Sequence, residues 1–187
     1  MTCTLLFWSD TVCINQADLD ERAQQVSIMG DIYRTASQCI VWLGREYDGS
    51  DHAMSLIKDL GQIFPKLGIQ ELEVRRLTEF NLPSKESPLW RNLYLFFQRP
   101  WFQRIWTSQE IIISQTAIFM CGYKNVKLAT MMGFACGMEK QSNIMGYLFT
   151  PSVVQYGYEK GLTHIMAVGY FRDNIRCHDS GAVTLLT

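Results

Sequence analysis

Apolar positions along the chain fall into two regimes, short continuous runs and helical periods. Residues 4–8, TLLFW, are a short continuous run ending in aromatics, which predicts a buried strand. The polar stretch SDTVCINQAD follows as a loop. Asp18 with Glu21 three residues on has capping-box spacing and opens a helix from Leu19 to about Ala36. In that helix Val26, Met29, Tyr33 and Ala36 recur at three- and four-residue steps, with Ile28 and Ile32 beside them. The period predicts an amphipathic helix with one buried face. QCIVWLG (38–44) is a second continuous apolar strand, ended by Gly44. Strand, helix and strand over this length make a βαβ unit, whose strands are parallel and covered on both faces.

Beyond Gly44, residues 45–53 read as a loop and a helix is predicted from Ala53 to Phe64. Residues 65–88 are mixed and charged, contain Pro65, Pro83 and Pro88, and read as a variable surface insertion. LWRNLYLFFQR predicts a helix broken by Pro100, because proline clashes with the preceding turn. A further helix is expected from Trp101 into Ile111, Ile112 and Ile113. AIFMCG (117–122) is the next strand, again closed by glycine. Residues 123–187 show only short periods and are expected to be mostly helix and loop. There is no internal repeat and no low-complexity tract.

Composition narrows the function class. The 187 residues are 48% hydrophobic and 19% charged, a globular balance for about one domain. A net charge of −1 gives no electrostatic footprint for nucleic acid or an anionic membrane. Six cysteines are scattered with no C-x-x-C pair, which supports neither a metal site nor a disulfide framework. Reduced thiols in an intracellular compartment are the simpler reading. MTCTLLFWSD has no basic n-region or cleavage site, and no apolar stretch is long enough to span a bilayer. A soluble, cytoplasmic protein is the expectation.

The candidate chemistry gathers in two places. Trp106 and Glu110 are four apart and share a helix face, with Arg104 on another flank. A carboxylate beside three isoleucines is expected to be partly buried, which disfavours its charged form without a nearby donor. An ion pair with Arg99 or Arg104, or a capping contact, accounts for it on spacing alone. Asp10, Asn15 and Gln16 follow the C-terminal end of the first predicted strand, the rim where open parallel sheets bind ligands. Turn chemistry explains the same residue types. Cys13 has no basic neighbour and reads as structural. His52, His164 and His178 are isolated, and no metal, nucleophile-elbow or phosphate-loop motif is present.

Taken together, D-x-x-C-I-N-Q, E-R-x-x-Q-V-x-x-M-x-x-I-Y, V-W-L-G and R-P-W-F-x-R-x-W-x-x-Q-E resemble the fungal heterokaryon incompatibility (HET) domain over residues 7–44 and 89–122. The resemblance implies a role in non-self recognition between fungal cells and in the cell-death response it triggers. HET domains are in turn similar to Toll/interleukin-1 receptor (TIR) domains, some of which cleave NAD at its nicotinamide bond with a helix glutamate near an upstream tryptophan. W-T-S-Q-E resembles that arrangement and places the glutamate at Glu110. Trp106 then lies beside a substrate ring or buries itself in the core, and Asp10, Asn15 and Gln16 become pocket-lining candidates. No cofactor or metal is implied, and NAD would enter as substrate. The alternatives are a non-catalytic TIR-like assembly and signalling module, with a second copy or other incompatibility proteins as partners, or an inactive fragment.

The fold expected from the resemblance is α/β: an incomplete flavodoxin-like, TIR-like parallel sheet flanked by helices. Residues 1–125 would form a partial HET domain and 126–187 a C-terminal, mostly helical extension. Family members usually carry a Y-x-A-L-S-Y-x-W-G segment upstream, and this chain starts almost on the D-x-x-C-I-N-Q motif. The expectation is therefore a missing first strand, exposed sheet edges, poor folding in isolation and little enzymatic activity.

Overall fold

The computed structural model describes residues 6–67, 82–84, 86–104, 107–140 and 158–179. In chain order the elements are α1 (Asp10–Cys13), α2 (Leu19–Thr35), β1 (Cys39–Trp42), α3 (Ser50–Leu67), α4 (Leu89–Phe97), a 3-10 helix (Pro100–Gln103), α5 (Thr107–Ile113), β2 (Ala117–Cys121), β3 (Lys124–Lys127), α6 (Leu128–Lys140) and α7 (Tyr158–Asp179). The protein is mixed α/β, dominated by helices around a small sheet.

The sheet has the order β1-β2-β3. β1 pairs with β2 in parallel, from Cys39 opposite Ala117 to Trp42 opposite Met120. β3 pairs with β2 antiparallel, so the sheet is mixed and not the parallel one expected. Gly122 holds φ +57 at the first central position of the two-residue connection, where type II′ hairpin turns place glycine. β3 escaped the hydrophobic pattern because KNVK contributes one core side chain, Val126, among exposed polar neighbours.

Burial alternates strictly along β1 and β2. Cys39, Val41, Ala117, Phe119 and Cys121 face the core, while Ile40 and Trp42 are 43% and 54% exposed on the other face. A continuous apolar run predicted cover on both faces, but only one face is covered. The predicted strand TLLFW is absent over its described part. Leu6 and Phe7 are unpaired and 97% and 70% exposed, while residues 4 and 5 lie outside the described residues. Among the described residues there is therefore no βαβ unit ahead of β1.

α2 starts where its cap predicted. The Asp18 carboxylate accepts from the Asp20 and Glu21 amides at 3.0 Å each. The reciprocal half of the capping box goes elsewhere, since Glu21 accepts from the Asn15 amide at 3.1 Å and ties down the preceding loop. The predicted buried face is not formed: no α2 residue is fully buried, and Val26 and Ile28 are exposed. The helix leans on α5 and, among the described residues, has no strand ahead of it to cover.

The core lies between the inner sheet face and α3, α4, α6 and α7. Phe96, Phe97, Phe102, Phe119 and Phe134 are fully buried. Phe97 stacks on Phe134 at 5.9 Å, and Phe102 on Phe119 at 6.4 Å. Burial of each such ring contributes about 1.5–3 kcal/mol. α3 and α6 approach closely at Gly61, Gly133 and Gly137, where an added Cβ would collide with Thr130, Gly61 and Phe64 respectively. α3 runs one turn past its predicted end, carrying Pro65 inside its last turn.

Pro100 ends α4 as predicted, but the continuous helix expected from Trp101 is broken. The 3-10 helix stops at Arg104, whose extended backbone (φ −107, ψ 107) separates it from α5. Residues 105 and 106 lie outside the described residues, and so does the expected placement of Trp106. Most of the predicted insertion, 68–81 and 85, lies outside them as well.

Candidate functional site

Glu110 sits in the middle of α5 and is half-buried where that helix meets α2. Its neighbours come from three segments. Tyr33, on the last turn of α2, lies beside the Glu110 carboxylate, and Trp8 packs edge-on against the Tyr33 ring at 5.7 Å. Cys39, the first residue of β1, lies within the field of the carboxylate, and so does Asp10.

Burial pushes the Glu110 pKa above the usual carboxylate range, and the Asp10 charge adds to the rise. Tyr33 and the Arg104 charge oppose it without cancelling it. The same cluster raises its other members. Burial, then the Glu110 charge, lifts the Tyr33 hydroxyl. The Cys39 thiol is pushed up to about 11 by burial first and Glu110 second. Cys39 is thus an inert, protonated thiol at neutral pH.

The ion-pair explanation of Glu110 is not what forms. Among the described residues no basic side chain makes a salt bridge with it. Arg99 is committed elsewhere, 2% exposed, and donates to the carbonyls of Leu43, Arg45 and Tyr47. Its guanidinium lies 4.0 Å over the Tyr47 ring and pins the loop after β1. Arg172 of α7 does the same for α5: it donates to the carbonyls of Ile111 and Gln115 and to the Ser114 hydroxyl, satisfying the helix's C-terminal end.

Of the rim candidates, only Asp10 reaches Glu110. The Asp10 carboxylate accepts from the Thr11 amide at 2.7 Å, and the Asn15 side chain accepts from the Ala17 amide at 3.1 Å. Gln16 donates to the Asp10 carbonyl at 3.0 Å. All three are exposed and do turn chemistry. Tyr33, Trp8 and Cys39 were not singled out by sequence, although Tyr33 ends the I-Y pair of the α2 motif.

A groove of about 690 Å³ opens at the other side of α5's end, where β1 and β2 begin, and Glu110 is not part of it. Among the described residues no group of three or more His, Cys, Asp and Glu could hold a metal, and no helix is long and apolar enough to cross a membrane. The described cysteines Cys13, Cys39, Cys121 and Cys136 form no disulfide.

An α/β chain with this D-x-x-C-I-N-Q loop, capped helix and R-P-W-F segment belongs to one family. The sequence pattern of the family described as "Heterokaryon incompatibility protein (HET)" matches residues 3–110, more than half of the chain, so the chain is a member of the HET family. It is 31% identical over 175 aligned residues to heterokaryon incompatibility protein 6, OR allele, of Neurospora crassa. That alignment covers 81% of this chain and 26% of the relative, so the chain spans about a quarter of the relative's length. No solved structure matches.

Proposed function

We propose that the chain acts in fungal heterokaryon incompatibility, as a HET module in non-self recognition and the programmed cell death that follows. The observation that carries the reading is the family match over residues 3–110, supported by the similarity to the Neurospora protein. Within it, Glu110 is the residue assigned to chemistry, as the charge-stabilising carboxylate of a TIR-like NAD glycohydrolase. A carboxylate on a braced helix accepts hydrogen bonds from ribose hydroxyls. Its charge then stabilises the oxocarbenium-like cation as nicotinamide leaves. What supports this role is a half-buried carboxylate beside Tyr33 and left out of any ion pair among the described residues. Asp10, Asn15, Gln16 and Trp106 are proposed to line the substrate side. A TIR-like, flavodoxin-type arrangement is the fold proposed for the whole domain, with the parallel β1–β2 pair and its helical crossover as the part in keeping with it.

The second reading is a non-catalytic assembly module, favoured by one observation: the large groove of the described residues does not include Glu110. One experiment separates the two. The 187-residue chain and its Glu110→Gln variant are expressed in fungal cells, with cell death, NAD level and thermal unfolding followed together. Catalysis predicts a loss of NAD consumption of about 10²–10³-fold in a variant that still folds, the size seen when one transition-state contact is removed. Cell death and NAD levels unchanged in the folded variant would defeat the catalytic role and leave assembly.

A further inference from the structure

The groove beside α6 has features the function above does not use. Its volume of about 690 Å³ lies within the range of small-molecule sites. The floor is apolar, built from Ala117, Ile118, Leu128 and Met132. Among the described residues, the charged side chains that line it are Lys127 and Arg172. The whole chain has 18 acidic and 17 basic residues, so this single sign is a local feature of the groove.

Two further observations fix the sign. The first turn of the 13-residue α6 contributes Leu128 and Ala129 to the wall and holds no acidic residue. The positive end of the helix dipole therefore adds to the field of Lys127. Arg172 is 6% exposed and anchored on the carbonyls of Ile111 and Gln115, so its charge is held in place by the fold. Gln38, Gln115 and Thr116 are its neutral polar lining, with the Gln115 side-chain amide donating to the Arg34 carbonyl and the Thr116 hydroxyl to the Ser37 carbonyl.

We propose that this groove is a binding site for a small organic anion: an aryl or acyl body on the Ile118–Met132 floor, its carboxylate, sulfonate or phosphate at Lys127 and the α6 N-terminus. A bare inorganic anion would leave the apolar floor unused, and a neutral apolar molecule would leave the cationic rim unmatched. The site lies where β1 and β2 begin, away from Glu110, and stands independently of the catalytic assignment.

The test uses 8-anilinonaphthalene-1-sulfonate, an aromatic sulfonate, with the 187-residue chain. Fluorescence titration is expected to show saturable binding, weakened at least about tenfold by Lys127→Glu and by Ala129→Glu, the scale of one lost charge contact. Ala129 is exposed, and a carboxylate in a helix's first turn stabilises the helix. Ala129→Glu should therefore lower affinity while the thermal midpoint holds or rises, a pairing that loss of fold cannot produce. Site-resolved alkylation gives a second readout. Saturating probe should block reaction at Cys136, an exposed thiol lining the groove, and leave the exposed Cys13 on α1 reacting as before. Probe binding unaffected by both substitutions in folded protein, or Cys136 alkylated at the same rate with and without probe, would overturn the proposal.

Discussion

At the scale of single residues, the informative contrast is between Glu110 and Arg99. Each is an ionisable group in an apolar setting, and sequence spacing made them candidate partners. The fold separates them. Arg99 spends its guanidinium on carbonyls more than fifty residues away, a pairing that only tertiary structure creates. Glu110 has no cation in a salt bridge with it among the described residues, and burial keeps its pKa raised although Tyr33 opposes the rise. The folded state therefore holds a proton that the unfolded chain releases at lower pH. The stability Glu110 contributes is complete below the ordinary carboxylate range and is lost as pH rises through the higher folded value. Glu110→Gln, neutral at every pH, should remove that decline and leave the variant more stable than the native chain at neutral pH. Urea midpoints for both proteins between pH 4 and 8 check this, and parallel curves would contradict it. The anomaly of a carboxylate beside three isoleucines was legible in the sequence. The identity of its neighbour was not, because Tyr33 lies on another helix and scores as an ordinary core-facing position.

At the scale of elements, pattern reading succeeded where local chemistry decides the outcome. Asp18 caps α2, Pro100 ends α4, and glycines at 44 and 122 take up positive φ where strands stop. It failed where a partner decides. TLLFW has strand chemistry, yet Leu6 and Phe7 pair with nothing among the described residues. KNVK lacks strand chemistry, yet a two-residue glycine turn folds it onto β2. The α3–α6 seam shows the same dependence. Gly30 on α2 has nothing within 4 Å of an added Cβ, whereas one at Gly61 would run into the Thr130 carbonyl. Alanine should act in opposite directions at the two sites. Gly30→Ala should stabilise by about 0.5–1 kcal/mol through helix propensity. Gly61→Ala should destabilise by about 1–3 kcal/mol through overpacking, despite the same propensity gain. Chemical denaturation of the two variants decides it; a stabilising Gly61→Ala would mean the helices can part without penalty.

For the whole molecule, the one-sided sheet dominates. Ile40 and Trp42 stand exposed beside the half-buried Ile118 and Met120, on a strand whose outer edge has no partner among the described residues. Exposed apolar faces and open strand edges promote association between chains. The double substitution Ile40→Thr, Trp42→Thr keeps β propensity and should suppress concentration-dependent light scattering, with unfolding free energy within roughly 0.5 kcal/mol of the native chain. Scattering that persists would shift the association surface elsewhere, the exposed Leu6–Phe7 segment being next. The groove shows why large-scale features escape a linear reading. Its wall draws on Gln38, on 115–118, on 127–136 and on Arg172, positions with no shared period or motif.

The grip of Arg172 on α5 has a practical bearing on how this chain is handled. The recognisable family pattern stops at residue 110, inviting anyone who trims proteins by homology to cut there. Such an excision would discard the clamp that closes the helix end just beyond Glu110, together with Phe119, Phe134 and Ile165 from the interior. The inherited signature and the unit that folds have different borders, and activity assays on the shorter piece would be reporting on a remnant.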